Sequence, residues 1–391
     1  MARKAAPTPT KAAARLDAAR RCVVKVGSSL VCGGPGGAID EARLGEIAED
    51  IAALRAAGCR VVVVTSGAVA TGRNLLELKD PPRRLDEKQA CAAAGQPKLM
   101  QAWEKAFAPH GVRVAQALLT LEDTERRRRW LNARDTLERL FTWGVCPVVN
   151  ENDTVATDEI RYGDNDRLAA RVAQLIGADV LAILSDVDGL YDADPRLNAD
   201  AKRIPEVAEI TPEILAMAGG VGSKVGSGGM ASKLEAARVA GEAGCATVIG
   251  PGAVDHPIAA LRAGGASTWF TPKQAPESAR RQWIAGSLSP KGALVVDAGA
   301  VKALMDGKSL LPAGVVEVEG QFEKGDAVRI LSSEGADLAR GIAGYGAADA
   351  RRIKRKKSEE IPAILGFAGP AAIVHRNDMV LLTRESARDE G

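Results

Sequence analysis

Between residue 22 and about residue 270, short and mainly apolar runs alternate with longer stretches whose apolar residues recur at helical spacing. Residues 22–26, 61–64, 112–119, 145–149, 180–184 and 247–249 are the apolar runs. Most lack the strict in–out alternation of a one-sided sheet, so they predict strands buried on both faces. Residues 40–57, 86–107, 123–143, 166–176 and 230–243 carry the helical pattern, and the first four begin at Asp, a favoured N-cap residue. Strand and helix in regular alternation predict an α/β three-layer sandwich around a mostly parallel sheet. In such sheets, ligands bind at loops leaving the carboxyl ends of the strands.

The pattern changes after Phe270. Pro272, Pro276 and Pro290 punctuate a stretch of mixed charge that predicts a linker over 273–290. Short strand candidates follow at 294–296, 315–318, 327–331, 339–343 and 379–382, separated by turns such as Lys324-Gly325-Asp326. They predict a small β-rich barrel over 291–384 with a core of its own. The expected organisation is therefore a flexible basic tail (1–20), an α/β domain (21–272), the linker and the β domain.

Composition narrows the function. A net charge of +2 exerts no overall pull toward nucleic acid or membrane, and 3% aromatics imply a core of aliphatic packing. No run approaches the ~20 apolar residues of a membrane-spanning helix. The six cysteines form no C-x-x-C pair, which points to buried reduced thiols in a cytosolic protein. Three histidines leave little scope for histidine catalysis or metal ligation, and no conventional metal motif is present.

The candidate chemistry lies at strand ends. Lys25 precedes Gly27-Ser28-Ser29, where backbone amides and an ammonium can approach phosphate oxygens, although the sequence is not a Walker A loop. Thr65-Ser66-Gly67 follows the second strand and can hold a carboxylate. Asn150-Glu151-Asn152-Asp153 and Asp164-Asn165-Asp166 bring acids and amides together near the end of the fourth. Ser185 and Asp186 end the fifth, in a turn that borders a nucleotide. Glycines from 219 lead through Ser227, Gly228, Gly229, Met230, Ala231 and Ser232 into a helix with Lys233 in its first turn. A helix start of this kind favours an anion, and the lysine can reach back over a phosphate. The basic run at 351–357 is either a footprint for RNA or a solvated helix face.

Together, N-E-N-D at 150–153, G-D-N-D at 163–166 and S-G-G-M-A-S-K at 227–233 resemble the glutamate 5-kinase branch of the amino-acid kinase family, over about residues 21–382. The C-terminal segment is similar to a PUA domain. This resemblance implies phosphorylation of the γ-carboxylate of L-glutamate by ATP with Mg²⁺, the first step of proline biosynthesis, in the cytoplasm. It implies Lys25, Lys233, Asp164 and Asp166 as catalytic, and Ser66, Asp153 and Asn165 as glutamate-binding. Lys25, Ser185, Asp186 and residues 227–233 would bind the nucleotide. It further implies a homo-oligomer, feedback by proline, and a glutamyl phosphate reductase or RNA as partners. Many members have Thr where this chain has Ser185, which keeps the hydroxyl. The competing readings are another phosphotransferase of the same fold, for acetylglutamate, aspartate, carbamate or uridylate, and an RNA-binding protein with a vestigial kinase domain.

Overall fold

The computed structural model describes residues 14–34, 37–156, 164–218, 229–279 and 289–382, and the chain divides into two units, Met1–Pro276 and Glu277–Gly391. In the first unit the strands are β1 (Arg21–Val26), β2 (Arg60–Thr65), β3 (Val114–Leu119), β4 (Cys146–Glu151), β5 (Val180–Ser185), β6 (Glu206–Val207), β7 (Ala246–Pro251) and β8 (Thr268–Phe270). They form one sheet in the order β3-β4-β2-β1-β5-β7-β8-β6. Every pairing is parallel except β7 with β8. The parallel centre matches its sequence: β2 and β5 are nearly pure Val, Ile, Leu and Ala, and their interiors are buried throughout.

Side chains alternate between the two faces of the sheet, so odd and even positions enter different cores. Cys22, Val24 and Val26 of β1 join Val61 and Val63 of β2 in the first core. That core is closed by the helices Glu41–Ala56, Leu85–Phe107 and Pro257–Arg262. Val23, Val62 and Val64 enter the second, under the helices Arg127–Thr142, Asp164–Ile176 and Met230–Glu242. The result is the expected three layers. Parity also sends Lys25 to the second layer, and Thr65 and Asn150 to the first.

Three local expectations change. The helix expected over 123–143 is two helices, Leu121–Glu125 and Arg127–Thr142, because Arg126 is extended (φ −77°, ψ 112°). Its cap is Thr120, which accepts from the Asp123 amide, while the Asp123 carboxylate accepts from the Thr120 amide in return. The helix expected from Asp86 begins earlier, capped by Glu87 accepting from the amides of Arg83 and Arg84. Asp166 does not cap its helix, which starts at Asp164. Asp40 does cap, accepting from the Arg43 amide at 3.0 Å.

In the second unit, β9 (Gly292–Val296), β10 (Val315–Gly320), β11 (Ala327–Ser332), β12 (Asp337–Ile342) and β13 (Met379–Leu381) form a sheet in the order β10-β9-β11-β12-β13. Only β9 and β11 run parallel. The sheet shares a separate core with the helices Ala298–Met305, Ala347–Ile353 and Ile361–Leu365. No described helix is long and apolar enough to cross a membrane.

Candidate active site

Where the carboxyl ends of β1 and β5 adjoin, one carboxylate holds two ammonium groups. Asp166 sits in the first turn of the Asp164–Ile176 helix, Lys25 near the end of β1, and Lys233 in the first turn of the Met230–Glu242 helix. Lys25 Nζ lies 2.6 Å from Asp166 Oδ1, and Lys233 Nζ 3.2 Å from Oδ2. Ser232 Oγ donates to the same Oδ2 at 3.0 Å. Exposure is 0% for Asp166, 6% for Lys25 and 5% for Lys233, so the charges lie out of bulk water.

Burial alone would raise the Asp166 carboxyl, but Lys25 and Lys233 hold it below the ordinary carboxylate value. Burial lowers the Lys25 ammonium, Asp166 opposes that, and Lys233 adds to it; the net direction is down. Two buried ammonium groups beside helix N-termini are suited to an incoming anion.

The loop after β1 completes this side. Gly27 caps the short helix Ser28–Val31, and a Cβ on it would lie 3.8 Å from Lys25 Nζ and 3.6 Å from the Leu184 carbonyl oxygen. Ser185, buried at the end of β5, donates to Asp186 Oδ1 at 2.9 Å, and Asp186 is exposed. Gly229, Met230 and Ala231 open the Lys233 helix, with Gly229 as its N-cap. Ser227 and Gly228 lie outside the described residues, as does the side chain of Asp164.

A second cluster adjoins it through the helix that carries Asp166. Asn165 Nδ2 donates to Ser66 Oγ at 2.9 Å, to Asn150 Oδ1 at 2.8 Å and to the Thr65 carbonyl oxygen. The amide protons face inward, leaving Oδ1 as this side chain's acceptor. Asn150 Nδ2 donates to Gln96 Oε1, and Gln96 Nε2 to Gln116 Oε1, both at 2.8 Å. Asp153 is buried in the turn after β4.

Lys25, Asp166, Ser232 and Lys233 thus meet in one group, and Ser66 and Asn165 in the next, with residues 165 and 166 adjacent on one helix. Sequence reading had not singled out Gln96, Gln116 or Trp103. Gln96 lies in a helix with no motif, and only a buried polar residue on an otherwise apolar face marked it. The Asp188 turn is held by Tyr191 Oη, which donates to both carboxylate oxygens at 3.1 Å.

In the second unit, half of the basic run is built into the fold. Arg351 donates to the Val318 and Gly320 carbonyls, Arg352 to that of Ile364, and Lys354 pairs with Glu317 at 3.0 Å. Arg355, Lys356 and Lys357 are exposed.

Residues 20–250 match the model of the amino acid kinase family, and residues 292–365 that of the PUA domain. The chain is 52% identical to Glutamate 5-kinase 1 of Rhizobium meliloti (strain 1021), over 98% of each chain. It is 56% identical to the Glutamate 5-kinase of Paramagnetospirillum magneticum (strain ATCC 700264 / AMB-1), over 94% of this chain and 99% of that one. Against the Glutamate 5-kinase of Caulobacter vibrioides (strain NA1000 / CB15N) it is 57% identical, over 93% and 97%.

Proposed function

The chain belongs to the amino acid kinase family, in its glutamate 5-kinase branch, and on that premise we propose how its residues phosphorylate L-glutamate. ATP is the co-substrate, and the product, γ-glutamyl phosphate, opens proline synthesis. The observation that carries the residue assignment is the shared Asp166 carboxylate, which sets two ammonium groups beside a glycine turn.

Glutamate is bound by Ser66 and Asn165, with Asp153 from the turn after β4. The Asn165 Oδ1 acceptor and the Asp153 carboxylate receive its ammonium, and the Ser66 hydroxyl orients a carboxylate. ATP lies over Ser185, Asp186 and the start of the Lys233 helix. The γ-carboxylate is ionised near neutral pH (reference pKa ~4.3) and requires no general base. One of its oxygens forms a bond to the γ-phosphorus while the bond to the β,γ-bridging oxygen breaks, and ADP leaves with that electron pair. Lys25 and Lys233 offset the charge gathered on the transferring group, and Asp166 keeps both aimed at it.

The described residues contain no group of three His, Cys, Asp or Glu side chains that could cage a metal. A Mg²⁺ brought in on the phosphates needs no cage, since it keeps several waters and takes one or two carboxylates. Exposed Asp186 at the end of β5 suits that role, and the ion would neutralise phosphate charge. Proline, smaller than glutamate and with the same α-amino-acid head, would compete for the amino-acid cluster. A homo-oligomer in the cytoplasm and handover of the labile product to a reductase complete the proposal. If RNA binds the PUA unit, Arg355, Lys356 and Lys357 are its contacts.

The test is ADP release with L-glutamate, L-aspartate, N-acetylglutamate or UMP as acceptor, trapping acyl phosphate with hydroxylamine. Hydroxamate should form with glutamate alone and fall at least ~100-fold in Lys233→Ala. Turnover of another acceptor instead would overturn the substrate assignment.

A further inference from the structure

The amino-acid cluster is braced from the Leu85–Phe107 helix. Thr65, the last residue of β2, is fully buried, and sheet parity turns its side chain toward the Leu85–Phe107 helix. There Trp103 Nε1 donates to Thr65 Oγ1 at 3.0 Å, and Thr65 Oγ1 donates onward to the Ser66 carbonyl oxygen at 3.2 Å. The Thr65 carbonyl accepts from Asn165. One residue therefore ties the indole of a core helix to both Ser66 and Asn165.

Trp103 is 0% exposed, and its ring stacks on Phe107 with centroids 5.9 Å apart. A buried tryptophan needs a partner for its N–H, and a buried threonine hydroxyl needs one for its oxygen. Each satisfies the other, so the geometry is over-determined. Gln96, one heptad earlier and so on the same helical face, reaches Asn150 in the same way.

We propose that Trp103 is a positioning residue for the amino-acid substrate, acting through Thr65 to hold Ser66 and Asn165 in register. It touches no substrate. Its effect falls on the glutamate side, because the hydrogen bonds of Trp103 and Thr65 reach Ser66 and Asn165 and none goes to Lys25, Asp166 or Lys233. The inference rests on the glutamate reading above.

The test compares Trp103→Phe, Thr65→Val, their double variant and Thr65→Ser, with KM measured separately for glutamate and for ATP. Both single variants should raise the glutamate KM roughly three- to tenfold, the scale of one neutral hydrogen bond. The ATP KM and kcat should stay within about twofold, the double variant should be no worse than the worse single, and Thr65→Ser should retain the parent value. Should Trp103→Phe fail to fold, Thr65→Val against Thr65→Ser decides the matter alone. Unchanged glutamate KM in folded variants, or glutamate and ATP KM rising together, would overturn the role. A parent enzyme inactive with glutamate would instead sink the substrate reading, and this inference with it.

Discussion

Asp166 is the carboxylate that Lys25 and Lys233 share. Replacing it by Asn keeps the shape and removes the carboxylate that two buried ammonium groups share. Removing one partner of a buried charge pair costs roughly 3–5 kcal/mol, so Asp166→Asn should fold less stably and lose at least ~100-fold in kcat. Because the Asp166 pKa is depressed, its stabilisation is present above the unfolded carboxylate value and is lost as pH falls through the folded one. Lys25 works in the opposite sense. In the proposed mechanism it must be protonated to act, and its pKa is lowered, so ADP release should decline with rising pH before an ordinary lysine would titrate. Asp166 raises the Lys25 pKa, so in Asp166→Asn that alkaline limb should move to still lower pH; a limb that stays put would exclude Lys25 as its source. The sequence showed Asp166 as a member of an acidic motif and, by pattern, as a helix cap. Only the contact with both lysines makes it the charged hub.

At the scale of elements, the helix Ala68–Leu75, which follows Ser66, crosses the Leu85–Phe107 helix at its glycines. A Cβ on Gly72 would sit 1.7 Å from the Cys91 carbonyl oxygen, and one on Gly95 2.0 Å from that of Ala68. No side chain fits, and backbone must give way. Gly72→Ala should therefore push the helices apart, shifting Ser66 against Gln96 and Trp103. The expected outcome is a loss of about 2 kcal/mol or more in stability by thermal unfolding, with a glutamate KM that rises more than the ATP KM. The long helix was legible from its spacing, whereas the extent of Ala68–Leu75 was not, being short and following a loop motif. Nor was the break at Arg126, since residues 122–129 hold no apolar residue whose spacing could mark it, and only Thr120 with Asp123 marks the true start.

At the scale of the whole molecule, each unit has its own core, two on the faces of the large sheet and one in the C-terminal unit. The proposed catalytic and glutamate-binding residues lie within Met1–Pro276. A chain ending at residue 276 should therefore fold and form glutamate hydroxamate with a kcat within about tenfold of the full chain; an unfolded or inactive product would show that the PUA unit is needed for the kinase centre. Arg351 and Arg352 illustrate why charge runs mislead: both serve carbonyls of their own unit. Sequence by itself determined the alternation of strands and helices, the apolar sheet centre and the strand-end motifs, because backbone propensity and period are local properties. It also determined the family, since its motifs are contiguous. Only the tertiary structure decided which strand faces which layer, that one carboxylate serves two lysines from distant segments, and that a core tryptophan is tied through Thr65 to Ser66 and Asn165. Those contacts depend on strand order and on the parity of each strand's register, which no stretch of chain contains alone.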